Sequence, residues 1–368
     1  MRILSVAGAR PNFVKIAPIL HEIHRHPDLD SLLVHTGQHY DMQMSEAFFR
    51  ELEIPEPDAH LRVGSGSHAV QTANIMLAFE PVLDHARPDV VLVVGDVNST
   101  VACALVAVKK GVPVAHVEAG LRSRDRTMPE EINRLVTDAI SDILLTPSSD
   151  ADANLLAEGI PPERIRRVGN VMIDSLHHEQ SRAAAPPFWE KEDLQNVPYL
   201  LITMHRPANV DSAETLARFV DIFDTVRKDF RIVWPLHPRT KNRLVEFGLL
   251  KRLSRMPGMI LADPLPYRQA IYLMSRAAAV LTDSGGVQEE TTALGVPCFT
   301  TRPNTERPIT VTEGTNTLVG SDREAILRGL ADVQEGKSKR GRVPPLWDGK
   351  TASRIVEALR EMVPHVKR

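Results

Sequence analysis

Two consecutive apolar runs, each ending in a carboxylate, constrain the fold of this chain more than any other feature. The runs are Asp89-Val-Val-Leu-Val-Val-Gly-Asp96 and Gly111-Val-Pro-Val-Ala-His-Val-Glu118. Apolar runs of this kind are typical of strands that are buried on both faces of a parallel sheet. Ligands of open parallel sheets bind at the carboxyl ends of the strands, so Asp96 and Glu118 are candidates for chemistry at that edge.

Helical patterns separate the apolar runs throughout the first half of the chain. Strands are predicted at 2–7, 31–36, 90–95 and 112–117. Helices are predicted at 13–23 with Lys15 in the first turn, from a cap at Asn98 or Ser99 to Lys109, and after Pro129, where Glu130 and Glu131 form an acidic first turn. This alternation predicts a doubly wound parallel sheet.

A second half of the same kind follows a stretch without pattern. Its predicted strands are 199–203, 231–235 and 280–282. Because 368 residues exceed the usual size of one core, we expect an α/β protein with two Rossmann-like domains that face each other across a cleft. The predicted organisation is a first domain at 1–176, a linker at 177–197, a second domain at 198–350 and a C-terminal helix at 351–368 that packs back on the first domain.

Composition excludes several classes of function. Apolar residues make up 43%, charged residues 25%, and the net charge is -3, so the chain has no global field for nucleic acid or an anionic membrane. The N-terminus is too soon interrupted by Arg10-Pro11 for a signal peptide or membrane span. Cys103 and Cys298 sit in apolar surroundings typical of buried thiols, and we expect a cytoplasmic protein.

The segment after Glu118 is dense in both cations and acids. It reads Ala-Gly-Leu-Arg-Ser-Arg-Asp-Arg-Thr-Met-Pro-Glu-Glu-Ile-Asn-Arg, ending at Arg134. Such a mixture indicates an anionic substrate whose chemistry also moves protons.

His21, His24 and His26 have no acidic or cysteine partner pattern, and no metal is expected there.

Two further motifs are candidates for phosphate binding. In Asp283-Ser-Gly-Gly-Val-Gln-Glu-Glu290, paired glycines lie between a strand and a helix N-terminus, where backbone amides can approach a phosphate. The same acids could instead complement the helix dipole of a plain strand-to-helix turn. Arg10 and Lys15 follow the first strand and could hold a departing phosphate or be solvated surface charges. His205 could add a donor or be structural.

The ordered set of motifs resembles the non-hydrolysing UDP-N-acetylglucosamine 2-epimerases over nearly the whole chain. The motifs are Gly-Ala-Arg-Pro with Lys15, Thr36-Gly-Gln-His39, Val94-Gly-Asp96, His116-Val-Glu-Ala-Gly-Leu121, Pro129-Glu-Glu-Ile-Asn-Arg134, Gly169-Asn-Val-Met-Ile-Asp174, His205-Arg206, Asp283 to Glu290 and Thr305-Glu-Arg-Pro308. The resemblance implies the glycosyltransferase-B architecture and interconversion of UDP-GlcNAc and UDP-ManNAc, which feeds surface polysaccharides. It also implies a homodimer, and a route through 2-acetamidoglucal that needs no cofactor.

The resemblance also implies roles for single residues. Proton transfer falls to Asp96, Glu118 and Glu130, with no assignment to faces of the sugar. The diphosphate would be steadied by Arg10, Lys15 and His205. The remaining contacts are expected from Gln38 near the sugar, Ser284, Gly285 and Gly286 at the phosphate, and Glu290 at the ribose hydroxyls.

Departures from the family pattern leave alternatives open. Asn12 stands where many members have Glu, Ile309 follows Thr-Glu-Arg-Pro where Glu is frequent, and Pro207 replaces an arginine used in activation by a second substrate molecule. Loss of that activation is therefore expected. The alternatives are an epimerase of a related UDP-2-acetamido sugar, a glycosyltransferase of the same architecture, a hydrolysing epimerase and a non-catalytic sugar-nucleotide sensor.

Overall fold

The structure, a computed structural model, describes residues 1–37 and 49–366. Gln38 lies outside the described residues, and so does the side chain of Arg10. The chain divides into two compact units. The first contains Met1–Ser175 and Pro345–Arg368, and the second contains Leu176–Pro344.

The first unit is built on a seven-stranded parallel sheet with the order β3-β2-β1-β4-β5-β6-β7. Its strands are β1 (Arg2–Ala7), β2 (Asp30–His35), β3 (Ala59–His60), β4 (Val90–Val94), β5 (Val114–Val117), β6 (Ile143–Thr146) and β7 (Ile165–Arg167). Its helices are α1 (Arg10–His24), α2 (His68–Ala86), α3 (Asn98–Lys109), α4 (Pro129–Ile140), α5 (Ser149–Ala157), α6 (Val171–Gln180, which continues into the second unit) and α15 (Thr351–Met362).

The apolar runs of the sequence explain the centre of this sheet. Every residue of β4 and β5 is buried, as a strand covered by helices on both faces requires. In the sheet order, β4 lies between β1 and β5, so the carboxyl ends of these three strands are neighbours. The predicted parallel α/β architecture is confirmed.

The second unit has a six-stranded parallel sheet with the order β10-β9-β8-β11-β12-β13. Its strands are β8 (Tyr199–Thr203), β9 (Arg231–Pro235), β10 (Met259–Ala262), β11 (Ala279–Thr282), β12 (Cys298–Thr300) and β13 (Asn316–Leu318). Its helices are α7 (Pro207–Val210), α8 (Ala213–Val226), α9 (Pro238–Glu246), α10 (Leu250–Ser254), α11 (Tyr267–Met274), α12 (Gly285–Leu294), α13 (Pro308–Thr312) and α14 (Arg323–Gln334).

The segment 177–197, predicted as a linker, contributes to the packing of the second unit. Its first residues complete α6, and turns follow. Trp189 and Leu194 are buried in one apolar cluster with Tyr199 of β8. Trp189 and Leu194 therefore belong to the core of the second unit.

The C-terminal segment packs on the first unit. The division falls at Pro344, and α15 lies against α1. The backbone amide of Ala352 donates to the Asp174 carboxylate at 2.7 Å, and the indole of Trp347 donates to the Pro147 carbonyl at 2.9 Å. Within the described residues, no helix is both long enough and apolar enough to cross a bilayer.

Truncation of Trp347 tests the contribution of this segment. Trp347 is 2% exposed, so Trp347→Ala should lower the free energy of unfolding of the first unit by about 3–5 kcal/mol through lost burial. Trp347→Phe keeps most of the apolar contact and should lose only about 1 kcal/mol. Urea unfolding of both variants measures the difference, and equal stabilities of Trp347→Ala and wild type would contradict this packing.

Candidate active site

The first cluster of candidate residues lies at the carboxyl ends of β1, β4 and β5. Lys15, in the second turn of α1, forms an ion pair with Glu118, which follows β5. Both side chains are buried, at 8% and 7% exposed. A Cβ added to Gly95, which follows β4, would lie 3.4 Å from both charged groups. Glycine at this position therefore leaves room for the ion pair between Lys15 and Glu118.

The backbone turns sharply where β4 and β5 end. Gly95 has a φ of 70° and Glu118 a φ of 72°, both in the left-handed region. Glycine adopts this region freely, but for a glutamate it is an uncommon conformation that surrounding contacts must maintain. Strain of this kind is concentrated at functional sites, which supports a functional role for Glu118.

Asp96 is held by a buried arginine. Arg134 of α4, with a side chain 2% exposed, forms an ion pair with the Asp96 carboxylate, which is 27% exposed. The Asn133 side chain also donates to the Asp96 carbonyl at 2.9 Å. Asp96 thus has a fixed position and a face that solvent or a ligand can reach.

The two adjacent glutamates of α4 have different environments. Glu131 is buried and accepts hydrogen bonds from the Ser123 amide and hydroxyl and the Arg124 amide, each at 2.9 Å. Burial acts to raise the pKa of Glu131, but Arg134 and Ser123 hold it below its usual value. Glu131 therefore anchors the preceding loop. Glu130 is half-buried in the first turn of the same helix.

The cations of this loop have partners within the protein. Arg122 donates to Asp138 at 2.7 Å and to Glu158 at 2.6 and 2.8 Å, and Arg134 pairs with Asp96 and with Glu131 at 2.7 Å. These two arginines therefore hold acids of the protein itself in this structure. The acids that bind these arginines lie on other elements or one helical turn away. The position of the arginines shortly after Glu118 in the sequence therefore did not indicate which acids they bind.

Polar side chains that are not among the candidate site residues hold these turns in place. The Asn12 carboxamide accepts from the Ala9 amide at 3.0 Å and donates to the Val94 carbonyl at 2.9 Å, joining the ends of β1 and β4. Asn98 donates to Gln71 at 2.8 Å, and Ser99 bonds to the Thr36 hydroxyl. The prediction that Asn98 or Ser99 caps α3 is wrong, because the cap is Val97.

The second cluster lies at the carboxyl ends of β8 and β11, which are neighbours in the second sheet. Asp283 is fully buried, and its carboxylate accepts from the backbone amides of His205 and Arg206 at 2.9 and 2.8 Å. Its other oxygen lies 3.2 Å from Nδ1 of His205. Burial acts to raise the pKa of Asp283, but His205, Arg206 and Asn209 lower it below its usual value. The role of Asp283 in orienting His205 was not predicted.

Ser284, Gly285 and Gly286 form the start of α12. Ser284 is the N-cap residue, so its successors present backbone amides at the helix N-terminus. A Cβ on Gly285 would lie 2.4 Å from the Arg307 guanidinium and 2.8 Å from the Glu306 carboxylate. This close approach explains the glycine and places the Thr-Glu-Arg-Pro motif against the predicted phosphate loop.

The two acids at the end of this motif also differ. Glu289 lies 2.9 Å from the Arg307 guanidinium, so it pairs with a buried cation. Glu290 accepts a hydrogen bond from the Tyr267 hydroxyl at 2.7 Å. Burial raises the pKa of Glu290 to about 7. Both the phosphate role and the dipole role of this motif remain compatible with these contacts.

The structure thus gathers the candidates into two groups. In the first unit, Lys15 pairs with Glu118 after β5, Asp96 follows the neighbouring strand β4, and Glu130 lies on the helix that supplies Arg134. His205 and the Ser284 loop are brought together in the second unit through Asp283. Among residues 1–37 and 49–366, no group of three or more His, Cys, Asp or Glu side chains is placed to hold a metal ion.

Comparisons with known proteins agree on one family. A family model described as UDP-N-acetylglucosamine 2-epimerase matches residues 21–360. A UDP-N-acetylglucosamine 2-epimerase homolog of Methanococcus maripaludis is 43% identical over 364 residues, covering 98% of this chain and 100% of that protein. The UDP-2,3-diacetamido-2,3-dideoxy-D-glucuronate 2-epimerase of Pseudomonas aeruginosa is 40% identical over 365 residues, covering 98% and 100%. Among solved structures, the Methanocaldococcus jannaschii UDP-GlcNAc 2-epimerase in complex with UDP-GlcNAc and UDP is similar with a TM-score of 0.88 and 41% identity, covering 98% and 100%.

Because the pKa of Glu290 is raised, replacing Glu290 with neutral glutamine should increase the free energy of unfolding, and the increase should depend on pH. An acid with a raised pKa binds its proton more tightly when folded, so its contribution to stability declines as pH rises from the usual carboxyl range to about 7. Glu290→Gln should therefore match wild type near pH 4 and exceed it at pH 8, by on the order of 3 kcal/mol at most. Urea unfolding at both pH values measures this, with the exposed Glu335→Gln as control. A pH-independent difference would contradict the assignment.

Proposed function

Because the chain belongs to the UDP-N-acetylglucosamine 2-epimerase family, we propose that it reversibly epimerises C2 of UDP-GlcNAc to give UDP-ManNAc. The observation that carries this proposal is the cluster of Lys15, Asp96 and Glu118 at neighbouring strand ends. A cluster with two carboxylates and a buried cation suits a reaction that moves protons beside a leaving anion. The two parallel-sheet units have the fold of the glycosyltransferase-B class.

Elimination explains how a hydrogen without acidity can be exchanged. C2 of an N-acetylhexosamine has no neighbouring carbonyl, so direct abstraction has a prohibitive barrier. In the proposed route a carboxylate takes the C2 proton, the C–H electron pair forms the C1–C2 double bond, and the C1–O bond breaks with its electrons leaving on UDP. The intermediate is 2-acetamidoglucal. A UDP oxygen then bonds to C1 while an acid delivers a proton to the opposite face of C2.

The contacts support a division of labour between the candidate residues. We assign proton transfer to Asp96, Glu118 and Glu130, without distributing them between the two faces. The Lys15 ammonium beside Glu118 favours the ionised carboxylate that a base requires. Stabilisation of the departing diphosphate falls to Arg10, Lys15 and His205.

The nucleotide is assigned to the second unit. The amides of Ser284, Gly285 and Gly286 would bind phosphate at the start of α12. Glu290 would accept hydrogen bonds from the ribose hydroxyls, and Gln38 would lie near the sugar. An ionised Glu290 is the better acceptor for two hydroxyl donors, so nucleotide binding and loss of its proton are coupled in this proposal.

Incubation in deuterated water with UDP-GlcNAc alone tests the function. The proposal expects deuterium at C2 of both UDP-sugars, detected by NMR, because the acid that reprotonates C2 exchanges with solvent. Free N-acetylmannosamine as the main product would indicate a hydrolysing epimerase. Turnover only after addition of an acceptor would indicate a glycosyltransferase, and binding without turnover a sensor. Each of these three outcomes would contradict the proposal.

The sugar itself is open to a second candidate. The Pseudomonas aeruginosa relative is named for a diacetamido uronate and is 40% identical, close to the 43% of the Methanococcus maripaludis homolog. The same experiment with UDP-2,3-diacetamido-2,3-dideoxy-D-glucuronate separates the two substrates by kcat/KM. A higher value for the uronate would replace UDP-GlcNAc while leaving the elimination chemistry unchanged.

Replacement of Asp96 tests its role in proton transfer. Asp96→Asn keeps the shape of the side chain and removes the base, so kcat should fall by about 10²–10⁴-fold while UDP affinity is retained. The matched control is Asp89→Asn, the same change at the opposite end of β4, where the side chain is exposed. Steady-state kinetics and calorimetry with UDP measure both effects. Full activity of Asp96→Asn would contradict the assignment.

We propose a homodimer that forms through the layer of α2, α3 and α4. Val70 and Leu77 of α2 are 55% and 72% exposed, and Ile132 and Val136 of α4 are 37% and 38% exposed. Between them, α3 carries the partly exposed side chains of Val101, Leu105 and Val108. An apolar surface that spans three neighbouring helices is typical of a protein interface.

Leu77→Asp should therefore dissociate the dimer, because it places a charge within this apolar layer. Light scattering after size exclusion should give about twice 40.8 kDa for wild type and one chain mass for the variant. Leu156→Asp is the control, since Leu156 is 48% exposed on α5, outside the layer. A monomeric wild type, or a dimeric Leu77→Asp, would rule out this interface.

We also propose a cytoplasmic location. Cys103 and Cys298 are buried free thiols. Burial raises the pKa of Cys298 to about 11 and that of Cys103 further, which disfavours the thiolate form of both. Buried, unpaired thiols suit a reducing compartment.

A further inference from the structure

His116 of β5 is a buried, hydrogen-bonded histidine that the proposed reaction does not use. Its side chain is fully buried two residues before Glu118. Nε2 lies 2.8 Å from the Gly95 carbonyl oxygen, and Nδ1 lies 2.6 Å from the Asp138 carboxylate. Gly95 directly precedes Asp96. His116 lies on β5, directly before Val117 and Glu118, and its ring bonds to the residue that precedes Asp96. It therefore connects the backbone next to both proposed proton-transfer acids.

These contacts define the charge of the ring. A carbonyl oxygen only accepts, so Nε2 must carry a hydrogen. The second oxygen of Asp138 accepts from the Gly120 amide at 3.0 Å and from Arg122 at 2.7 Å, which favours the ionised carboxylate. Burial acts to raise the pKa of Asp138, but the charges of His116 and Arg122 lower it below its usual value. An ionised Asp138 cannot donate, so Nδ1 carries the second hydrogen, and His116 is an imidazolium.

The imidazolium spans the two left-handed turns of the site. On one side it holds the carbonyl of Gly95, whose φ is 70°. On the other side its partner Asp138 holds the amide of Gly120, two residues after Glu118 with its φ of 72°. Glu118 is thus bracketed by His116 and Gly120, which both bind the same carboxylate. Both turns depend on one pair of charged groups.

We propose that His116, through its ion pair with Asp138, is the positioning residue that fixes Asp96 and Glu118 relative to one another. This inference rests on the proposed function, since it concerns the geometry of the same two acids. His116 does not reach the substrate in this account. Displacement of a catalytic group by about 1 Å can lower a rate about 10²-fold, so loss of this contact should act on kcat.

His116→Gln tests the proposal because its amide can still donate to Gly95 but presents an oxygen to Asp138. We expect kcat to fall by about 10–100-fold, with one UDP bound per chain at unchanged affinity. UDP stoichiometry from calorimetry counts the folded protein, so a mere loss of folded protein would lower stoichiometry and kcat together. Trp347→Ala is the control, because it destabilises the same unit without removing any contact of His116 or Asp138 and should retain kcat per bound UDP.

A second substitution in the same background restores the donor and acceptor pattern. In the double variant His116→Gln with Asp138→Asn, the Asn amide can donate to the Gln oxygen while its own oxygen still faces Gly120 and Arg122. We expect the double variant to recover several-fold in kcat over His116→Gln, as coupled residues in contact do. This rescue would be absent if the His116 ring only occupied space in the core.

The outcomes separate this inference from the proposed function. Wild type without C2 exchange would overturn the function and the inference together. Wild type with exchange, and His116→Gln with unchanged kcat, would overturn the positioning role alone. A fall in kcat matched by a fall in UDP stoichiometry, or a double variant no better than His116→Gln, would also overturn it. Reduced kcat at full stoichiometry with rescue supports it.

Discussion

The ion pair between Lys15 and Glu118 is the interaction on which the first unit's candidate site depends. Two buried charges without each other would be strongly unfavourable, so each requires the other to be in place. The pair joins α1 to the end of β5 across Gly95 at the end of β4. The parallel strand order makes this possible, because it sets the carboxyl ends of β1, β4 and β5 beside each other.

Around this pair the protein uses its own cations to hold its acids. Arg134 binds Asp96 and Glu131, and Arg122 binds Asp138 and Glu158. The second unit follows the same logic, since buried Arg307 contacts both Glu289 and Glu306 beside the Gly285 turn. These pairs position ionised groups without relying on solvent, as preorganised electrostatic sites require. They also explain why an excess of arginines near Glu118 does not by itself indicate an anion-binding surface.

The sequence predicted the architecture well because the period and burial of strands are local properties. The runs at Val90–Val94 and Val114–Val117 form the centre of the sheet, and Pro129 begins α4 as expected. Side-chain partners were not predictable in the same way. Lys15 and Glu118 are 103 residues apart, and a sequence pattern carries no distance between such positions. Asn98 is a residue type that often caps helices, but here its side chain donates a hydrogen bond to Gln71 on another helix, and Val97 is the cap.

The central claim is that inversion at C2 proceeds by cleavage of the bond between C1 and the UDP oxygen. It can be tested with UDP-GlcNAc that carries ¹⁸O in the position bridging C1 and the β-phosphorus. If UDP leaves and re-adds, rotation of its terminal phosphate moves the label into non-bridging β-phosphoryl positions, which ³¹P NMR resolves by isotope shift. Epimerisation by this route should therefore scramble the label. Epimerised product that keeps all of its label in the bridge would contradict it.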